Sequence, residues 1–275
     1  MMLDLLANND WDRPIYFTGG SFRDEDYLWM KDYLQLEGVT YKLVPIKTPV
    51  DERNPFDMGR IDADKMYDIV MDWDWGNSGS DDIYHDTETR KNAITYRSNL
   101  ARLVEKLIKE DKLGKAEDVL DLGMENIPVK HFQYYQLLEP FINGYYEVNK
   151  PEKAREVWEA VANNYKEWLT YYAGLDYENQ IENADRIFSE IEKYRSLVDI
   201  LIIQQDQELV KDKAAEFNSY LEKFSHFYED SPEENVNEKL LQELEENEDE
   251  DEINQIEKDS ASDDLVSPDQ LPTNP

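Results

Sequence analysis

Two stretches of this chain repeat one another 38 residues apart. Lys115-Ala116-Glu117 and Lys153-Ala154-Arg155 occupy equivalent places. Leu100, Leu103 and Leu107 precede the first, and Leu138, Phe141 and Tyr145 precede the second. Leu120 follows the first and Trp158 the second. A small Ala116 or Ala154 lets two antiparallel helices approach closely, while the large residues around it fill the groove. That is the logic of the tetratricopeptide hairpin, at a period slightly longer than its usual ~34 residues. Such hairpins cannot bury their apolar faces alone. Neighbouring helices are therefore expected from Thr87 onward, and again from Tyr177 to Phe227, to complete the stack.

The first 86 residues have a different grain. Arg13 to Phe17 read as a short strand ending at Gly19-Gly20. Ser21, with Asp24 three residues on, reads as a helix cap. Tyr27, Leu28, Met30, Tyr33 and Leu34 recur at helical spacing up to Gly38. Thr40 to Ile46 read as a second strand, and a parallel pairing of the two would require a right-handed crossover. A loop from Pro49 to Gly59 leads to a helix from Asp62 to Trp73, and another loop covers Asp72 to Asp86. The expected fold is mainly α, with a small α/β module at residues 1–86 and tetratricopeptide-like hairpins at 87–228. A disordered acidic tail is expected at 229–275.

Charge sets that tail apart. From Glu229 to Pro275 there are 18 Asp and Glu against two Lys, nearly half of a net charge of −34. Such a segment buries too little apolar surface to offset its ordering entropy. The acidic balance argues against nucleic acid, whose phosphates need a basic face, and against an anionic membrane surface. With no Cys, disulfides and thiolate metal sites are excluded. The stretch Leu197 to Ile203, apolar except for Asp199, is far short of a membrane span. The opening MMLDLLANN lacks the basic flank and length of a signal peptide.

Four groups of residues are candidates for a site. Trp73, Asp74, Trp75 and Asn77 could grip a sugar, ring against its apolar face and polar groups on its hydroxyls, although indoles at this spacing also suit a core edge. Asp72, Asp74, Asp81, Asp82, His85 and Asp86 suggest hard-metal ligands. Counted from Asp72, however, the calcium-loop pattern places Asn77 and Ile83 where Gly and the bidentate Glu belong. A solvated loop with a helix cap is the preferred reading there, and no metal is expected. Arg13, Arg53, Arg60, Arg90 and Arg97 read as internal ties to carboxylates. The turn TGGSFRDED could cradle a phosphate, but Asp24, Glu25 and Asp26 would repel it. No HExxH, GxSxG or Walker pattern occurs, and no cofactor is expected.

Between Asn8 and Leu103 lie unusual peptide words: NNDWDRPIYFTGG, GRIDADKMYDIVMDWDWGN and YHDTETRKNAITYRSNLARL. Through them the chain resembles, over roughly Met2 to Tyr172, the C-terminal soluble region of the bacterial domain-of-unknown-function 2723 family. These are multi-spanning membrane proteins similar to protein O-mannosyltransferases. The resemblance implies a parent that takes sugar from a lipid-linked donor, with its catalytic acid in an early loop of a membrane half. This chain contains no such half, so no catalytic residue carries over.

The expected role is therefore a non-catalytic accessory domain outside the bacterial cytoplasmic membrane. Its partners would be the membrane half and a polypeptide or glycan acceptor. The alternatives are a carbohydrate- or acceptor-binding module at Trp73–Asn77, or a stand-alone cytoplasmic tetratricopeptide-like scaffold.

Overall fold

The computed structural model describes residues 2–18, 29–49 and 58–227. The Ser21 cap, the Gly19-Gly20 turn, Arg53 and the acidic tail lie outside them. The protein is mainly helical with a small antiparallel sheet near its N-terminus.

Helix α1 (Met2–Asn9) leads into β1 (Tyr16–Thr18). After a 3₁₀ turn at Lys31–Tyr33 come β2 (Leu34–Glu37) and β3 (Thr40–Leu43), in the sheet order β1-β3-β2. Both pairings are antiparallel, with Phe17 and Leu36 each opposite Tyr41. The helix expected up to Gly38 is corrected here. Leu34 is in a strand rather than a helix, and Met30 precedes a 3₁₀ turn that ends at Tyr33. The two anticipated strands pair antiparallel, so the condition for a right-handed crossover is not met. The helix gives way to a hairpin, in which a two-residue turn at Gly38-Val39 joins β2 to β3. Glu37 and Thr40 face each other across it, and Gly38 at φ +68° takes a conformation open to glycine. All of β2 is buried, so its alternation has no polar-out signal.

Helix α2 (Ala63–Met71) follows, capped by the Asp62 carboxylate accepting from Lys65 N–H at 3.2 Å. It docks the module onto the hairpins. Tyr67 donates to Asp118 at 2.8 Å, and Lys112 and Lys115 each hold Asp64 at 2.7 Å.

The hairpins pair α3 (Thr87–Lys109) with α4 (Leu113–Asn126), α6 (Glu139–Glu147) with α7 (Pro151–Ala173), and α9 (Ala184–Ile203) with α10 (Gln207–Lys223). Short helices α5 (Val129–Phe132) and α8 (Tyr177–Glu182) lie between the pairs. All three hairpins close with one turn. Asp111, Asn149 and Gln205 each take a left-handed φ of 53–58°. The next N–H then reaches back to the carbonyl of Leu107, Tyr145 or Leu201 at 2.8–2.9 Å. This Schellman geometry satisfies carbonyls that a helix end would otherwise leave orphaned. Counted from that turn, Ala116, Ala154 and Val210 are equivalent and Phe141 matches Leu103 and Leu197. The third hairpin is thus built like the two visible in the sequence.

Small residues set the spacing between hairpins. A methyl group on Gly123 would lie 2.7 Å from Phe141 Cε1, and one on Gly144 would lie 3.1 Å from Leu120 and Val104. Between the second and third hairpins the fully buried Trp158 donates its indole N–H to Leu197 O at 2.7 Å. No described helix is long and apolar enough to cross a membrane.

Candidate functional site

The Trp73–Asn77 loop closes on itself. Trp73, Trp75 and Tyr96 form an aromatic triad with ring centroids 5.3–5.4 Å apart, Trp73 edge-on to both partners and Trp75 tilted against Tyr96. Trp73 also covers the Gly38 turn, where an added methyl would sit 2.7 Å from its Cζ2. The Asp74 carboxylate accepts from Gly76 N–H at 3.0 Å, and Asn77 sits at φ 64°. A polar groove of about 660 Å³ opens beside the loop toward Ser80, Glu125 and Asn126. Trp75 Nε1 is buried with no hydrogen-bond partner among the described residues.

The acidic residues further along the loop do not converge. Asp81 is paired with Lys130 and lies 3.0 Å from His131 Nε2. Asp82 is exposed, its N–H reaching Ser80 Oγ at 3.2 Å. His85 is buried with Nε2 2.9 Å from Ser78 O. Asp86 caps α3 through Thr89 N–H at 2.8 Å. Among the described residues no group of His, Asp and Glu is arranged to hold a metal ion.

The arginines differ from the carboxylate ties anticipated. Arg13 is exposed, and no ion pair holds it among the described residues. Arg60 donates to the Gln35 amide oxygen. Through Gln35 it joins a cluster around the buried Glu37, which also takes Tyr16 OH at 2.8 Å and Lys65 Nζ at 2.6 Å. Arg90 donates Nε to His85 O at 3.0 Å.

Arg97 departs furthest from the expectation. It is 1 % exposed and donates to backbone carbonyls: Ile127 O at 2.8 Å, Tyr134 O at 3.4 Å, and Gln133 O. Burial pulls its guanidinium down to about 10, so it stays charged at neutral pH. The reason it binds carbonyls is local. Gln133 (φ 56°, ψ −133°) and Tyr134 (φ 50°, ψ 55°) both lie at positive φ, breaking the chain between α5 and a 3₁₀ turn at Tyr135–Leu138. Non-glycine residues held this way cost on the order of 1–3 kcal/mol each and persist only where their surroundings fix them. Arg97 supplies that fixation.

The segment so held forms one wall of a groove of about 710 Å³. Arg90 and Ile94 on α3, Tyr134 and Tyr135 on the segment, Tyr165 and Trp168 on α7, and Glu190 and Lys193 on α9 surround it. Trp168 is 45 % exposed and stacks on Tyr172 at 5.9 Å. Tyr135 and Tyr165 meet edge to face at 6.3 Å. Tyr165 is 2 % exposed, and its hydroxyl meets no hydrogen-bond partner among the described residues. Burial, and then the charges of Glu139 and Glu190, push that phenol well up, so it remains a donor. Those carboxylates have other donors: Ser196 Oγ reaches Glu139 at 2.9 Å and Lys193 Nζ reaches Glu190 at 2.7 Å. A second groove, of about 570 Å³, opens between α4 and α7, lined by Met124, Val129, Lys153, Val157 and again Tyr135.

Sequence reasoning did not reach these grooves. The signals present were the aromatic-amide run Phe132-Gln133-Tyr134-Tyr135-Gln136 and the cluster Trp168, Tyr171, Tyr172 at the end of a helical pattern.

A family model described as TMEM260-associated domain 2 matches residues 1–65. No curated protein and no solved structure matches the chain.

Proposed function

We propose that this chain is a non-catalytic accessory domain of a membrane glycosyltransferase-like protein, holding a polypeptide in the groove between its hairpins. The geometry carries this reading through one observation. The groove is preformed, with strained backbone fixed by a buried arginine and aromatic rings left facing solvent. Pre-organisation of that kind lowers the cost of binding, and the volume suits a ligand pocket. The link to a membrane transferase draws on the match over residues 1–65, since TMEM260 is a candidate protein O-mannosyltransferase. It also draws on the likeness to the domain-of-unknown-function 2723 proteins. The domain would act on the extracytoplasmic face of the bacterial inner membrane.

The test is reconstitution. The purified chain is incubated with a polyprenyl-phosphate sugar and an acceptor polypeptide, with and without a membrane protein of that family in liposomes. Sugar transfer should need the membrane protein and should increase when the chain is added. Transfer by the chain alone would refute the accessory role.

A second reading, carbohydrate binding at Trp73, Asp74, Trp75 and Asn77, is favoured by the unpartnered Trp75 indole N–H beside a polar groove. Oligosaccharide titration of the protein and of Trp75→Ala decides it. Binding that disappears with the indole supports this reading.

A further inference from the structure

The geometry points to a lipid-facing surface on the N-terminal module: the apolar face around Trp11, Trp29 and α1 seats in the headgroup boundary of a bilayer of zwitterionic phospholipids. This goes beyond the polypeptide-holding reading and does not depend on it, since vesicle binding needs neither an acceptor nor sugar transfer.

The face is apolar from rim to floor. Leu6, Trp11, Trp29 and Tyr33 wall a pocket of about 350 Å³ over the buried Leu43 and Val44. Among the described residues no charged side chain lines it, whereas charged groups line the grooves beside Trp75 and Trp168. Its walls are set in advance. Val44 N–H donates to Tyr33 O at 2.9 Å, and Asn9 Nδ2 donates to Arg13 O at 2.8 Å. Within the turn that the Asn9 amide closes, Asp10 and Trp11 take left-handed φ values of 43° and 63°. A bulky residue at positive φ is an outlier, and such strain gathers at functional sites. Here the strained residue presents an indole that is 59 % exposed, and Trp29 on the same pocket is 58 % exposed.

Shape, ring chemistry and charge together choose the occupant. Leu3 and Leu5 of α1 are both exposed. At about 100° per residue they point to opposite sides of the helix, while Leu6 lines the pocket. A helix apolar on several sides belongs in an apolar surrounding. One rigid protein face covers one side of it, whereas lipid closes around all of them. Trp and Tyr are the side chains enriched where a bilayer meets water, ring body inward and polar tip at the headgroups. Charge selects the headgroup. Residues 1–49 hold eight Asp and Glu against five Lys and Arg, a net −3 in a chain of −34. The module escapes the acidity of the rest, but that acidity would repel anionic lipid. Zwitterionic headgroups suit both. The face also lies within residues 1–65, the part of the chain on which the link to a membrane protein rests.

The test is flotation of the intact chain with phosphatidylcholine vesicles through a density gradient. The chain should float with the vesicles, equally at low and high salt, and less when phosphatidylglycerol replaces part of the phosphatidylcholine. Trp11→Ala combined with Trp29→Ala should lower the partition coefficient about tenfold. Ile203→Ala, which trims another exposed apolar side chain on the third hairpin, should change nothing. Circular dichroism checks that each variant is folded. Failure of the unaltered chain to float would overturn the inference. So would flotation that survives the double substitution, or that requires phosphatidylglycerol. Sedimentation equilibrium without lipid tests the other occupant. A dimer that the double substitution dissociates would assign the face to a second copy and overturn the lipid assignment. None of these outcomes bears on the reconstituted sugar transfer, so the two proposals fail separately.

Discussion

Arg155 and Asp206 meet as a bidentate pair, with guanidinium Nε and Nη2 each 2.7 Å from a carboxylate oxygen. Tyr146 OH adds a third donor to the same carboxylate at 2.6 Å. Asp206 is also the cap of α10, accepting from Leu209 N–H at 3.4 Å. One side chain therefore joins the second hairpin to the turn of the third. Asp206→Ala should destabilise the protein by about 2–3 kcal/mol, the low end for a broken buried pair because Arg155 is 31 % exposed. Urea unfolding followed by fluorescence reads this directly.

Acid should act on Asp206 and Glu37 together. Burial pushes both carboxyls up, but hydrogen bonds from Arg155 and Tyr146 to Asp206, and from Lys65, Tyr16 and Gln35 to Glu37, outweigh it and hold both below the ordinary value. Their contribution is fully present above the unfolded carboxylate value of about 4 and is lost as pH falls through the lower folded values. Glu139 runs the other way. Burial raises it and the Ser196 hydroxyl only partly opposes this, so its ionisation costs stability as pH rises through the folded value. Glu139→Gln should raise the urea midpoint at neutral pH and have no effect below about pH 4. A midpoint that falls at neutral pH would contradict that sign.

Gln133→Gly should stabilise. The residue sits at φ 56°, ψ −133°, a region only glycine enters freely. Its removal should recover about 1 kcal/mol, read as a higher melting temperature. No gain would mean that the backbone at this point is not strained.

Gly123→Ala should destabilise by about 1–3 kcal/mol, since the new methyl would press to 2.7 Å from Phe141. Combining it with Phe141→Leu should return part of that loss. A double-mutant cycle measures the coupling.

The hairpins were legible because their cause is local. Ala116 and Ala154, flanked by large apolar residues at helical spacing, announce close helix crossings within a few turns of sequence. The third hairpin was only anticipated, since Val210 replaces alanine and the conserved element is the turn at Gln205, which sequence does not mark. Strand β2 was hidden because Gln35 and Glu37 are buried with Leu34 and Leu36, their polar groups satisfied by Arg60, Tyr16 and Lys65 from distant segments. The 710 Å³ groove was illegible for the same reason. Nothing near Gln133 and Tyr134 says that both take positive φ, because the group that holds them, Arg97, lies more than 30 residues upstream.

Tyr135 borders both grooves, the one facing Trp168 and the one facing Val157. Its side chain is common to the two linings. A side chain shared in this way ties the shape of one groove to the shape of the other.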